Sequence, residues 1–440
     1  MSALSLLRAV RGDAVELPAA VALPESTEEV AAVLAWAEET GTPVVPRGGG
    51  SGVSGGAAAS GGHVVVDVSR MDRIVAVDGV SGTVEVEAGM RGDALEATLE
   101  PHGLTVGHYP QSIAISTVGG WVAASSAGQA SAGHGAIEDL VVGLTVVLAG
   151  GKVVRLRPVP RSAAGPDLRR LFIGSEGTLG VVTEAVLACH PRPAAYAWVG
   201  LGFDSFEGCI EAARRIVRSG AGPAVLRAYD EVDAALAFGR AGHTGGPAGI
   251  VGFASDAPGL DARVAETVAR AEAAGGRDLG PELGRHWWEH RNDAVDQYRR
   301  IMGPDRAFGP GTVVDTVEVA GLWAGVPSLY HAVRAALLER AEAVGCHVSH
   351  VYPAGSSLYF TFLVRGSDDR DVEGGYLQAW EGAVRACLGA GGTMTHHHGV
   401  GRLKARFLAE ELGEGGLAAL RAVKRALDPA GIMNPGALLP

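Results

Sequence analysis

The sequence predicts an α+β protein of two unlike halves: a β-rich N-terminal half with few helices, then a half in which an antiparallel sheet is covered by helices on one face. Three observations predict it. Short Val- and Ile-rich runs separated by turn residues fill the first half, a proline-rich break falls at His190-Pro191-Arg192-Pro193, and beyond it strands alternate with Ala- and Arg-rich helices. With 440 residues, 47% hydrophobic and 20% charged, the chain is long enough for several folding units with a pocket between them.

Each element has a local reason. The N-terminus, MSALSLLRAVRGDAVELP, has only a very short apolar stretch with charge soon after it, so it lacks the apolar core of an export signal. Ser26 with Glu29 three residues on forms a capping box ahead of Val30, Val33, Leu34 and Ala37, and Gly41 closes that helix. Pro43-Val44-Val45-Pro46 then enters a glycine loop. Strands are expected at 64–68, 74–77 and 83–86, at 144–148 paired across Gly150-Gly151 with 153–156, and at 181–187. In the second half they are expected near 197–203, 224–228, 250–254, 348–351 and 358–363. A last helix, about 404–427, stops at Asp428-Pro429, and Asn434-Pro435-Gly436 is turn chemistry.

Composition excludes whole classes of partner. With 37 Lys+Arg against 49 Asp+Glu, a net charge of −12 and no basic block, neither nucleic acid nor an anionic membrane surface is expected. Cys189, Cys209, Cys346 and Cys387 are far apart with no CxxC spacing, which argues against a disulfide framework or zinc knuckle and fits a reducing cytoplasm. Glycine is the anomaly, 65 residues, about twice its usual share. The backbone is being asked to approach something closely.

Three segments carry that approach. Arg47-Gly48-Gly49-Gly50-Ser51-Gly52-Val53-Ser54-Gly55-Gly56 places six glycines in ten positions after a short strand. Its amides can converge on anionic oxygens, although a flexible surface turn reads the same way, and it is neither a Walker loop nor GxGxxG. From Pro101 to Ile137, 37 consecutive residues contain no Asp, Glu, Lys or Arg. Pro110, seven glycines and several serines exclude a membrane helix, leaving an uncharged core crossing or the lining of a large, flat, partly polar cofactor. Third, Gly174-Ser175-Glu176-Gly177-Thr178-Leu179-Gly180 runs into the strand Val181-Val182.

Together the three segments resemble the flavin domain of the vanillyl-alcohol-oxidase type, the PCMH-type FAD-binding fold. The resemblance implies a two-subdomain FAD-binding domain over 1–192, an α/β cap domain over 193–400, and a segment 401–440 that returns to the flavin domain. It implies FAD lined by Pro46, Arg47, Gly48, Gly49, Gly50, Ser51 and Gly52 at the pyrophosphate. Gln111, Ser112, Ser116, Thr117, Gly119, Gly120, Ala124, Ser125 and Ser126 would run along the dinucleotide, and Glu176, Gly177, Thr178, Gly180, Val181 and Val182 near its adenine half. Covalent members carry His in or beside the glycine loop, where this chain has Ser51, so FAD held without a covalent bond is implied. His63, the nearest histidine, begins a strand and reads as structural.

The string Thr395-His396-His397-His398-Gly399 points to the chemistry. Three adjacent histidines cannot all face one metal from a regular strand or helix, and partners at ligand spacing are lacking, so no metal is expected. What remains is a set of groups titrating near neutrality with one His oriented by another, or solvated loop histidines. The string is similar to the HHHG signature of the alkyl-dihydroxyacetonephosphate synthase family, where the hydroxy-acid dehydrogenases of the superfamily usually show GEHG. Leu226-Arg227 with Tyr229-Asp230, Tyr298-Arg299-Arg300, Glu318 before Trp323, and Leu358-Tyr359-Phe360 agree in order and spacing.

Carried over, Tyr359 would be the proton-transferring phenol, His396, His397 and His398 the essential histidine cluster, Arg300 a substrate-anion contact and Arg227 an active-site support. An arginine offers a planar fork for carboxylate or phosphate, and Arg227 interrupts an apolar strand. Arg300 beside Arg299 also reads as a solvated face, and Tyr359 as a packed core residue. Trp287, Trp288 and Arg291 either close the pocket or simply pack. The family has Arg where this chain has His347 and Asp where it has Gln111, departures that weigh against phosphate recognition. The expectation is therefore a cytoplasmic FAD enzyme acting on a small polar or anionic molecule, with no transmembrane segment and a homodimer left open. Its chemistry is either synthase-like without net redox, or that of an oxidase or dehydrogenase passing hydride from a 2-hydroxy acid, sugar or alcohol to flavin. A flavin-binding protein without catalysis is the third class.

Overall fold

The computed structural model describes residues 3–13, 16–303 and 306–439. In the first half, Ala20–Ala22, Val64–Asp67 and Val44–Arg47 form a small parallel sheet in that order. Ile74–Asp78, Thr83–Glu87, Val181–Ala188, Val141–Val147 and Val153–Leu156 form a five-stranded antiparallel sheet, again in that order. Val30 and Leu34 of the helix Thr27–Thr40 share one core with Val44, Val66, Val84, Val86 and Val146 from both sheets. Ser26 caps this helix by accepting from the Glu29 amide, and Gly41 ends it at φ 66°. The Glu29 carboxylate reaches past the cap to the Glu25 amide.

The second half is built on a seven-stranded antiparallel sheet in the order Arg277–Gly280, Tyr196–Gly202, Ala248–Ala254, Val225–Tyr229, Ala341–Val351, Gly355–Arg365, Thr312–Leu322. Helices Phe206–Arg218, Val326–Leu338 and Asp371–Gly389 contribute Phe206, Ile210, Leu329, Val333, Tyr376 and Trp380 to its core. Register matters more than order here. Tyr229 pairs with His347, His347 with Tyr359, and Tyr359 with Glu318, so four polar residues stand in one row across four strands.

Sequence reading misses the strand Thr312–Leu322, whose alternation carries Asp315 and Glu318, both buried carboxylates, instead of a plain apolar pattern. The expected 404–427 helix begins as a short 3-10 turn, Ala405–Phe407, and continues as Leu408–Leu427 with a non-helical Gly413 at φ 66°. At the N-terminus, helix Ala3–Arg11 buries Ala3 and Leu7 in the core of the second half, and Arg8 and Arg11 pair with Glu373. The tail runs back to the first half: Val44 donates to Ile432 O and Asn434 donates to Val44 O, each at 2.8 Å. Among the described residues no helix is long and apolar enough to cross a membrane.

Candidate active site

The glycine loop follows Val44–Arg47 and is pinned from two sides. A Cβ on Gly49 would stand 1.8 Å from Ile115 O, and one on Gly48 2.1 Å from Thr117 Oγ1, so only glycine allows loop and neutral segment to touch. A Cβ on Gly177 would stand 2.8 Å from Pro46 Cγ, which brings in the third segment. The amides of Gly48, Gly49, Ser51 and Gly52 donate to no group among the described residues, and nothing lies within 4 Å of a Cβ built on Gly52. Unspent amides beside open space are the donor set a pyrophosphate requires, so the residues present fit the dinucleotide.

Not every expected lining residue is free for it. The Glu176 side chain accepts from the amides of Val400 at 2.6 Å and Gly401 at 2.8 Å, tying its turn to the histidine segment. Burial pushes this carboxyl upward against those two hydrogen bonds. Ser116 Oγ accepts from Trp121 Nε1, Thr117 caps the helix Val118–Ala124, Ser125 donates to Glu138, and Ser126 Oγ lies 2.8 Å from His108 Nε2. Ser51 and Ser112 hydroxyls have no protein partner among the described residues.

The histidine string is a turn, and Glu318 shapes it. The carboxylate accepts from the His396 amide, from the His398 amide at 3.0 Å and from Thr395 Oγ1 at 2.7 Å. Tyr352 Oη stands 2.8 Å from His396 Nε2, while Nδ1 of His396 and of His397 are 3.0 Å apart, so one ring donates to the other. His350 stacks on His396 at 5.1 Å and is itself held by Ser131 Oγ at 2.7 Å. Tyr359 faces His397 at 6.0 Å and His398 at 5.4 Å between ring centroids. His350 on the strand Ala341–Val351 and His396 and His397 in the irregular turn bring ring nitrogens within 4.8 Å of one another, closer than a regular element would allow adjacent histidines alone.

Burial is the main force on these rings. It lowers all four histidines, His398 to about 4 and His350 and His397 well below the usual range; repulsion from neighbouring rings adds to it at His350, His397 and His398, while Glu318 opposes it at His396. They stand as neutral imidazoles. Burial pushes the Tyr359 phenol up to about 12, so it keeps its proton at neutrality.

Arg227 is buried and, among the described residues, its guanidinium meets no carboxylate. Its Nη1 stands 3.2 Å from His347 Nε2, Trp287 lies under it at 4.8 Å, and its Nε has no partner. Arg291, half-buried, stacks on Trp288 at 3.6 Å and also leaves Nε without a partner. Gln129 donates to Arg291 O at 3.1 Å. Thus Tyr359, His396, His397, His398 and Arg227 come together. Arg300 does not join them: it is exposed on the helix Ala294–Met302, while Tyr298 of the same motif turns inward. Sequence reading missed His350, Asp233 and Lys404. For His350 the signal was a polar pair, Ser349-His350, inside an apolar strand.

Comparison with known proteins shows the family and the fold. Residues 18–157 match the family described as FAD binding domain, and residues 192–438 the C-terminal domain of FAD linked oxidases. The chain is 32% identical over 470 residues to alkyldihydroxyacetonephosphate synthase of Trypanosoma brucei brucei, covering 99% of this chain and 75% of the relative. It is 30% identical over 437 residues to D-lactate dehydrogenase (cytochrome) 1, mitochondrial, of Saccharomyces cerevisiae, covering 95% and 72%. A solved structure of an alkyldihydroxyacetonephosphate synthase superposes with a TM-score of 0.79 at 25% identity, covering 99% of this chain and 80% of that one.

Proposed function

The chain belongs to the FAD-linked oxidase family and is a FAD-dependent enzyme, and from that premise we propose that it runs synthase-like chemistry on a small anionic substrate, with proton transfer by Tyr359 and the histidine turn. One observation carries the reading: a protonated phenol and neutral imidazoles stand ring to ring in one buried site. When bound, FAD supplies an electrophilic ring nitrogen for the substrate carbon.

The chain's own residues supply the rest. Arg227 holds the substrate anion through the N–H groups that no carboxylate claims. His397 or His398, neutral and close to Tyr359, takes a proton from the substrate carbon and returns one to it at the end, while Tyr359 gives its proton to the leaving carboxylate oxygen and recovers one from the entering alcohol. In this reading a carboxylate leaves the carbon, an alcohol oxygen replaces it, and no net oxidation occurs. FAD held without a covalent bond, beside Ser51, and a cytoplasmic location belong to the same proposal.

A second reading has its own observation. His347 is held neutral and Arg300 is exposed, so Arg227 faces the site without a second cation from either. That suits a monoanionic carboxylate, as in a 2-hydroxy acid, better than a phosphate dianion. In that case the hydroxyl proton would pass to the neutral His398 while the flavin would supply the hydride acceptor. Anaerobic titration of the holoenzyme's flavin absorbance with hydroxy acids, polyols and acyl-dihydroxyacetone phosphate separates the two. Bleaching by a hydroxy acid or polyol establishes hydride transfer and overturns the redox-neutral reading for that substrate. Product formation from the acyl phosphate and a fatty alcohol without net bleaching supports it.

A further inference from the structure

Glu318 lies on the edge strand Thr312–Leu322, fully buried, directly across from Tyr359 in the ladder. A carboxylate in a core needs its lone pairs filled and its charge matched. Every group that does so here comes from the histidine turn or from six residues beyond it. Thr395 Oγ1 and the amides of His396 and His398 donate to it, and Lys404 Nζ stands 3.3 Å away. Lys404 is fully buried too, with the Trp380 ring 5.4 Å from its ammonium. Two buried charges are a costly way to close a turn that a neutral side chain could also cap.

What distinguishes this pair is where it sits. Glu318 Oε1 is 3.8 Å from His398 Nδ1 and Oε2 is 4.0 Å from His397 Nδ1. We propose that Glu318 and Lys404 are the positioning pair of the histidine cluster: Glu318 sets the turn through three hydrogen bonds, and Lys404 cancels its charge so that the imidazoles beside it stay neutral. The proposal rests on the reading that this cluster moves protons.

Other groups face the cluster but do not replace the pair. His350 and Tyr352 approach from the sheet and its end, Tyr359 from the next strand, and the charge of Arg227 acts on His350 to lower it. Glu176 is committed to the Val400 and Gly401 amides, and Glu411 to the Met394 amide. Asp315, further along the edge strand, is bound by Tyr376 and Trp380. Burial would raise the Glu318 carboxyl, yet Lys404, with the histidines after it, holds it below the usual range. On His398 the two charges act in opposite senses, Glu318 raising and Lys404 lowering.

The test is an NMR pH titration of the imidazoles in 15N-histidine-labelled holoenzyme, which needs no substrate. Lys404→Met leaves Glu318 unbalanced beside the rings, and the cluster histidines should protonate about one pH unit higher. Glu318→Gln leaves the ammonium unbalanced, and they should stay neutral to lower pH than in the parent. Lys404→Arg should restore the parent titration. Shifts in the same direction for both single variants, or no shift in either, overturn the proposal. Should a single variant fail to fold, the double variant Glu318→Gln with Lys404→Met decides: titration close to the parent is expected, and a shift as large as one unbalanced charge would give overturns it. Because the readout is ionisation and not turnover, a wrong substrate reading leaves this result standing, and a failed titration leaves the substrate reading untouched.

Discussion

His347 Nδ1 lies 2.5 Å from Asp233 Oδ2, and that contact decides what the other ring nitrogen does. With its proton on Nδ1, donated to the carboxylate, His347 presents a lone pair at Nε2, where Arg227 Nη1 arrives at 3.2 Å. Burial lowers His347 despite its acidic neighbour, in keeping with a neutral ring. Asp233 therefore orients Arg227 without neutralising it. The guanidinium is aimed but keeps its charge for a ligand.

Asp233→Ala should raise KM for the anionic substrate about tenfold, roughly 1.4 kcal/mol, with a smaller change in kcat, because it loosens an anchor and leaves the proton-transfer groups in place. Steady-state kinetics on the substrate found by flavin titration checks this. A loss confined to kcat would place Asp233 in the chemical step.

Arg227→Met should separate binding from stability. Removing a buried cation that has no carboxylate partner relieves its desolvation, so the melting temperature should hold or rise, while substrate affinity falls by about two orders of magnitude. Thermal melts with and without substrate read both effects. Stabilisation by ligand in the parent should vanish in the variant.

How much of this was legible is clearest at Tyr359 and Glu318. Tyr359 stands on an alternating strand whose period sequence reading recovers, so its face was predictable. Glu318 was visible as a residue, but its task depends on a pairing between 318 and 395–404, and no local pattern encodes which strand an edge will border. The helix at Ser26 was legible because its signals lie within four residues. Lys404, the expected first residue of the last helix, sits before it instead, where Gly399 at φ 76° and Gly401 at φ 55° turn the chain and its side chain is buried in the core. Arg300 shows the opposite limit. Motif order located it, yet burial chose Tyr298.

Acid should weaken the fold before the carboxylates are reached. His108, lowered to about 3, and His134 and His398, to about 4, stay neutral in the fold but take protons near 6.5 when unfolded. A base with a depressed folded pKa contributes its full stability above its unfolded pKa and loses it as pH falls below that value. The melting temperature should therefore hold near pH 8 and fall increasingly as the pH drops through 6.5 to 6. Below that, Asp230 and Asp315, raised to about 6 by burial, begin to take protons in the fold and pull the other way. Calorimetric scans across pH 5 to 8 test this, and a flat profile from 8 to 6 would mean that these rings are solvated.

Two glycines of the same loop should respond oppositely to alanine. At Gly49 the new methyl would meet Ile115 O at 1.8 Å, so the backbone must move, with a cost of about 1–3 kcal/mol whether or not cofactor is present. At Gly52 nothing lies within 4 Å and φ is not left-handed, so the apoprotein should melt as the parent does. The space around Gly52 is open in the protein alone. If FAD fills it, Gly52→Ala should lower bound flavin several-fold at unchanged apoprotein stability, read as flavin absorbance per protein. If flavin content is unaffected there while Gly49→Ala abolishes it, the pyrophosphate sits deeper, against the 115–117 segment.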